Sequence, residues 1–142
     1  MPTYRIPNPR LRDEGPVLRV RVGLPQSVSG RASSEDRHGS EPIEVDALVD
    51  TGSGRSVIHP EVARRLDLTP VGSVEIDTPS STDVPAFEHW VRFWFDPTTS
   101  VEVKVLEAQL PVARLRALLG RDVLAQGRFL YEGKLGAFTL TF

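Results

Sequence analysis

Cysteine is absent from this 142-residue chain, which excludes disulfides, thiolate zinc sites and a cysteine nucleophile. Long apolar runs are missing too, and the longest falls far short of the roughly 20 residues a membrane-spanning helix needs. Charge of one sign is not in excess: 17 basic residues face 19 acidic ones, for a net charge of -2. That balance argues against a nucleic-acid or anionic-membrane partner. The first eleven residues carry Arg5, Pro7, Pro9 and Arg10 but no apolar core, so they do not read as a secretory signal, and the expected compartment is the cytoplasm. No Gly-x-x-x-x-Gly-Lys-Ser/Thr phosphate loop occurs. His38, His59 and His89 are scattered without partners at ligand spacing, so neither a metal nor another cofactor is expected.

What is present is an ordinary globular balance, 39% apolar and 25% charged, in a length that suits one domain. Residues 1–16 are rich in Pro and Arg and read as an irregular arm. The segment 17–22 alternates apolar and basic side chains, the mark of a half-buried strand. Residues 26–41 are rich in Ser and Gly without periodicity and read as a long polar loop. A strand over 43–49 ends in Ala47-Leu48-Val49 and runs straight into Asp50-Thr51-Gly52-Ser53-Gly54. A short strand at 56–58 and a helix over 60–66, with Pro60 near its first position, follow. The runs 71–76 and 87–95 read as arms of a hairpin around the polar cluster Thr78-Pro79-Ser80-Ser81-Thr82-Asp83. Alternation returns at 101–106. A short strand at 118–120, a helical turn or two over 121–126 and a last hairpin, 129–131 with 138–142, complete the domain at 17–142. His59 is expected beside the helix start. Trp90 and Trp94 share a strand face with Arg92, which suits core or interface packing. Many short strands separated by turns indicate a closed or sandwiched β fold.

Asp50 is the sharpest feature. A carboxylate leaving a buried strand is costly unless it is hydrogen-bonded or shares a proton. Gly52 permits close approach of another backbone, and Thr51 and Ser53 place hydroxyls nearby. Hydrolysis of a peptide without metal, serine or cysteine needs a water activated by a base and an acid to polarise the carbonyl. Two carboxylates about 3 Å apart supply both, because only one of them ionises readily. An Asp-Thr-Gly alone is usually a turn, and Asp50 to Gly54 also looks a little like the phosphate hairpin of actin-like ATPases. Those enzymes need a second phosphate loop and a far longer chain. Ser53 as a nucleophile has no base signal near it.

With Leu118-Leu119-Gly120-Arg121-Asp122 placed downstream, the chain resembles the retropepsin-like aspartic peptidases, the group of retroviral proteases and their bacterial relatives. The resemblance implies an all-β closed barrel with one or two short helices and one Asp-Thr-Gly per chain. It further implies a homodimeric aspartic endopeptidase whose two Asp50 side chains meet across a twofold axis. Asp50, Thr51 and Gly52 would form the catalytic loop, with Thr51 bonding to its symmetry mate. Ser53 would orient the Asp50 carboxylate, and Leu119, Gly120, Arg121 and Asp122 would support it from behind. Gly52, Gly54 and the hairpin tip Thr78, Pro79, Ser80, Ser81 and Thr82 would bind a polypeptide substrate, with 76–87 as the flap. The terminal strand and the N-terminal arm are candidates for the interface sheet. Retroviral members usually carry Asp where Gly54 stands, so Arg55 is expected to pair with Asp122, or Arg121 with a carboxylate elsewhere. The alternative role for such a chain is a catalytically silent module for dimerisation or peptide binding.

Overall fold

The computed structural model describes residues 1–25 and 41–142, so the polar loop expected over 26–41 lies, except for Glu41, outside the described residues. Among the described residues there are ten strands: β1 (Thr3–Pro7), β2 (Val17–Gly23), β3 (Ile43–Val49), β4 (Val57–Ile58), β5 (Gly72–Thr78), β6 (Ser81–Asp96), β7 (Thr99–Glu107), β8 (Ala117–Leu119), β9 (Arg128–Glu132) and β10 (Ala137–Thr141). Three short α-helices among the described residues interrupt them: α1 (Leu11–Glu14), α2 (Pro60–Arg65) and α3 (Arg121–Leu124). The large sheet runs β2-β3-β8-β4-β7-β6-β5, and β2 also pairs with β6. That extra pairing closes six strands into a barrel and leaves β5 outside it, on the flank of β6. This is the closed β architecture that the turn-rich pattern indicates, with few helices.

Alternation builds the barrel. In β2, Leu18, Val20 and Val22 point inward while Arg19 and Arg21 point out, and in β3 the inward set is Ile43, Val45, Ala47 and Val49. Val91 and Phe93 from β6, Val103 and Val105 from β7, and Ala117 and Leu119 from β8 fill the interior. Each buried Val, Leu or Phe contributes roughly 1.5–3 kcal/mol of transfer free energy, most of it offset by the entropy lost on ordering the chain. Trp90 lies outside this core, 44% exposed. Arg92 stacks over the Trp94 ring, 5.3 Å from its centroid, so this face is the barrel's outer wall. α2 starts where the sequence suggests: His59 caps it by accepting from the Glu61 amide through Nδ1 at 3.0 Å, and Pro60 tolerates the first turn because its missing N–H has no partner there.

The arm expected to be irregular is instead strand β1 followed by α1. β1 pairs antiparallel with β10, Thr3 opposite Thr141 and Pro7 opposite Ala137, and β10 pairs on its other side with β9. Prolines hide this strand in the sequence. They are tolerated because β1 is an edge, and Pro7 is its last residue. Tyr4 and Ile6 are half-buried while Thr3, Arg5 and Pro7 face out.

Tyr4 ties the small sheet to the barrel. Its hydroxyl donates to Asp96, and its ring packs on Phe95, which in turn meets Phe142. The Tyr4 hydroxyl, helped by the Thr98 amide, holds the Asp96 carboxyl down to about 2 from an ordinary 3.8. A carboxyl lowered by folding stabilises fully above its unfolded value and loses that contribution as pH falls through its folded value. The tie is therefore expected to weaken between 3.8 and about 2. Glu61, lowered first by its hydrogen bond from Arg116, acts with the same sign. In urea titrations, Tyr4→Phe should be less stable than wild type near neutral pH and show a flatter loss through the acid window. Parallel acid curves for the two proteins would discard this account.

Candidate active site

β3 and β8 run parallel, with Val49 opposite Leu119. Both Asp50 and Gly120 therefore leave the barrel side by side at one end. The Asp50 amide donates to the Leu119 carbonyl at 2.9 Å, continuing the ladder by one residue. Beyond it the chain turns sharply. The Gly52 amide donates to Asp50 Oδ1 at 2.8 Å, and the Ser53 amide donates to the Asp50 carbonyl at 3.2 Å. Among the described residues the Gly52 amide is the only hydrogen-bond donor to the Asp50 carboxylate, which fixes one oxygen and leaves the other open. Thr51 and Gly52 are exposed at the loop tip, and Asp50 is half-buried.

The second motif braces this loop from behind. Gly120 sits so close that a Cβ there would lie 2.7 Å from the Arg55 carbonyl carbon and 2.9 Å from the Ser53 oxygen. The Arg121 amide donates to the Ser53 carbonyl at 2.8 Å, and Arg121 Nη1 donates to the Thr51 carbonyl, also at 2.8 Å. Its Nη2 lies 3.4 Å from where a Cβ on Gly54 would stand. With no carboxylate at Gly54, the guanidinium serves the loop backbone instead. Asp50, Thr51, Gly52, Ser53, Gly54, Leu119, Gly120, Arg121 and Asp122 are thus brought together.

Three expected contacts take different partners. Arg55 pairs with Glu88 at 2.7 Å, not with Asp122, and also donates to the Lys104 carbonyl. β4 runs parallel to β7, which carries Arg55 across β7 to β6. Among the described residues Arg121 finds no carboxylate and takes the Thr51 carbonyl instead. The Ser53 hydroxyl donates to the Arg55 carbonyl at 2.7 Å, so it steadies the loop rather than the Asp50 carboxylate.

Two groups were not singled out from the sequence. Ser56 is fully buried. Its hydroxyl donates to Asp122 Oδ1 at 2.6 Å and accepts from the Gly120 amide at 2.9 Å, while its own amide donates to Asp122 Oδ2 at 2.9 Å. It thereby locks the two motifs together, and a serine set directly before the apolar pair Val57-Ile58 was the available signal. Glu88, 9% exposed, has Arg55 and, at 3.8 Å, Lys104 as counter-charges. Its carboxylate occupies space that a side chain at Gly72 would need. Arg55 therefore links the Asp50 loop to the base of the β5–β6 hairpin. Elsewhere, His89 is buried and its Nε2 meets Glu107 at 3.0 Å.

That hairpin is where the flap is expected, but its turn is tighter than the polar cluster suggests. Thr78 and Ser81 are already paired, leaving only Pro79 and Ser80 at the tip. Thr78 Oγ closes the turn by accepting from the Ser81 amide. Asp83 adopts φ 54, a left-handed conformation that Asp tolerates better than most residues, and its amide donates to Asp77. The tip is exposed. No hydrogen bond or ion pair joins it to the Asp50 loop among the described residues. No helix among the described residues is long and apolar enough to cross a membrane.

A family model of aspartyl proteases matches residues 38–123, a stretch that contains both motifs. No curated protein matches. Among solved structures, a retropepsin-like aspartic protease from Rickettsia conorii is similar over 98% of this chain and 89% of its own, with 14% identity and a TM-score of 0.57. A retroviral protease-like domain from Leishmania major is similar over 88% of both chains, with 15% identity and a TM-score of 0.48. The EIAV protease in complex with an inhibitor matches over 78% of this chain and 86% of its own, with 20% identity and a TM-score of 0.47. The similarity to the Rickettsia protein is one of fold, and it extends over nearly all of both chains.

Proposed function

The chain belongs to the aspartyl protease family, and from that premise we propose that it is a homodimeric aspartic endopeptidase. The observation that carries the reading is a half-buried carboxylate at the base of an exposed loop tip, oriented by one amide, in a loop braced by Gly120 and Arg121. A lone carboxylate cannot act as both base and acid in one step. The chain has one Asp-Thr-Gly, so the second carboxylate comes from another copy. Two Asp50 side chains facing each other across a twofold axis share one proton between them. The ionised member takes a proton from the water between them as that water attacks the scissile carbonyl carbon. The protonated member gives its proton to the carbonyl oxygen, producing a neutral tetrahedral diol. Collapse of the diol breaks the C–N bond as a carboxyl proton passes to the departing amine and the ionised carboxylate takes a proton from one diol hydroxyl, which restores the singly protonated pair.

The remaining residues take supporting roles. Gly52 and Gly54 leave space for an extended substrate backbone against the loop. Thr51 reaches its counterpart in the other copy. Thr78, Pro79, Ser80, Ser81 and Thr82 cover the substrate from the hairpin tip. The substrate is a polypeptide in extended form, and the partner is a second copy of the chain.

The test is digestion of an unfolded polypeptide across pH and enzyme concentration. Activity per chain should rise with concentration until the dimer saturates. It should be highest in mildly acidic solution and decline as the shared proton is lost. Rates that climb steadily through about pH 8 would contradict a singly protonated pair. A stable monomer that cleaves nothing would favour the silent peptide-binding module.

A further inference from the structure

We propose that Glu88 is a positioning residue for the β5–β6 hairpin: through Arg55 it fixes how far the hairpin stands from the Asp50 loop, and so how firmly an extended polypeptide is held between them. This rests on the peptidase reading above and deepens it by naming a residue that governs substrate binding. Strand pairing shows where the hairpin is rooted. β6 pairs with β7 from Glu88, opposite Leu106, onward. Before that point its partner is β5, and β5 has no other neighbour among the described residues. From the root at Glu88 to the tip at Ser80 the strand spans about 25 Å. A tilt of about 10° at the root therefore moves the tip by about 4 Å.

The root is fastened on both faces. Successive residues of a strand point to opposite sides, and here two successive residues are polar and buried: Glu88 is 9% and His89 2% exposed. His89 Nε2 meets Glu107 Oε1 at 3.0 Å, which ties β6 to the end of β7. Glu88 Oε2 meets Arg55 Nη2 at 2.7 Å, which ties β6 to the Asp50 loop.

The surroundings are shaped for this second tie. Gly72 stands directly opposite Glu88, and a Cβ there would lie 2.6 Å from Glu88 Oε1, so the neighbouring strand leaves the place empty for the carboxylate. Arg55 is held through its own backbone. Its carbonyl accepts from the Ser53 hydroxyl at 2.7 Å, and its carbonyl carbon lies against Gly120. Its Nη2 also donates to the Lys104 carbonyl at 3.2 Å. The guanidinium is thus aimed from the braced loop at the hairpin root. A nearly buried carboxylate that loses its cation is left uncompensated, so the pair resists movement of either side without the other.

Kinetics with the full chain test this. Glu88→Gln keeps the shape and removes the charge. It should raise KM for an unfolded polypeptide about tenfold while kcat changes less than about threefold, the signature of lost binding rather than lost chemistry. Arg55→Met should do the same. Arg55→Lys keeps a cation, and because one nitrogen makes the contact, it should stay within about threefold of wild type. Both partners act through one contact, so Glu88→Gln/Arg55→Met should match either single variant, where independent effects would multiply to about a hundredfold. An unmoved KM, a fall confined to kcat, or multiplying effects would each overturn the proposal.

Hydrogen–deuterium exchange, read without substrate, separates this from the peptidase reading. In Glu88→Gln the amides of residues 72–87 should exchange about tenfold faster, while those of β2 and β3 keep wild-type rates. Faster exchange throughout would show a general folding defect and overturn the positioning role, as would unchanged exchange in the hairpin. If wild type cleaves nothing while the hairpin alone responds, the tie stands and the peptidase reading falls.

Discussion

Asp50→Asn is expected to lower peptide hydrolysis by about 10³-fold or more while leaving the fold intact. In the proposed mechanism the substitution removes the group that accepts the water proton, and the loss of a positioned acid–base group is worth about 10²–10⁴ in rate by itself. Asn keeps an oxygen for the Gly52 amide to bond, so the one hydrogen bond that orients the side chain survives. The loop braces involve backbone and Arg121, not the carboxylate. Thermal melts of the two proteins should therefore superimpose. The proposed homodimer adds a second expectation. An excess of Asp50→Asn chains mixed with wild type should suppress activity beyond simple dilution, because each mixed pair holds one carboxylate and one amide. Full activity in the variant would remove Asp50 from the mechanism altogether.

Gly120→Ala is the second large effect, and its cause is contact rather than torsion. Gly120 has φ -90 and ψ -171, extended backbone that alanine adopts freely. The added methyl would meet backbone atoms of Arg55 and Ser53 at 2.7, 2.8 and 2.9 Å, and backbone cannot rotate away as a side chain can. Overpacking of this kind costs roughly 1–3 kcal/mol. Because the displaced atoms belong to the Asp50 loop, turnover should fall by about 10²-fold even in molecules that remain folded. Urea melts and single-turnover rates measure the two losses separately. Gly54→Ala is the contrast for stability: its methyl would meet only the Arg121 guanidinium at 3.4 Å, so it should cost far less. Equal destabilisation by the two substitutions would show that the tight fit behind the loop is not what Gly120 provides.

The parts of this molecule that the sequence discloses are those decided by neighbouring residues. Alternation in Val17–Gly23 and Ile43–Val49 reports which face of a strand is buried, since the pleat has period two. Pro60 after His59 announces a helix start. The Asp50 loop and Gly120 are legible as a pair because each is a local break after an apolar strand. The misses are decided by registers between distant strands. Arg55 reaches Glu88 only because β4 lies on β7 and β7 on β6. Asp122 takes Ser56 instead of an arginine because β4 also lies against β8. β1 was obscured by its prolines, and its strand conformation depends on a partner more than 130 residues away, with Thr3 set against Thr141.

The parallel pairing of β3 with β8 has a consequence for how such a chain can vary. Two neighbouring staves that point the same way deliver their trailing ends to one rim of the barrel, whatever the length of the excursion joining them. The Asp50 loop and its Gly120–Arg121 buttress therefore keep their spacing if the intervening hairpin grows, shrinks or changes composition. The hairpin tip can be altered without asking the Asp50 loop to be rebuilt.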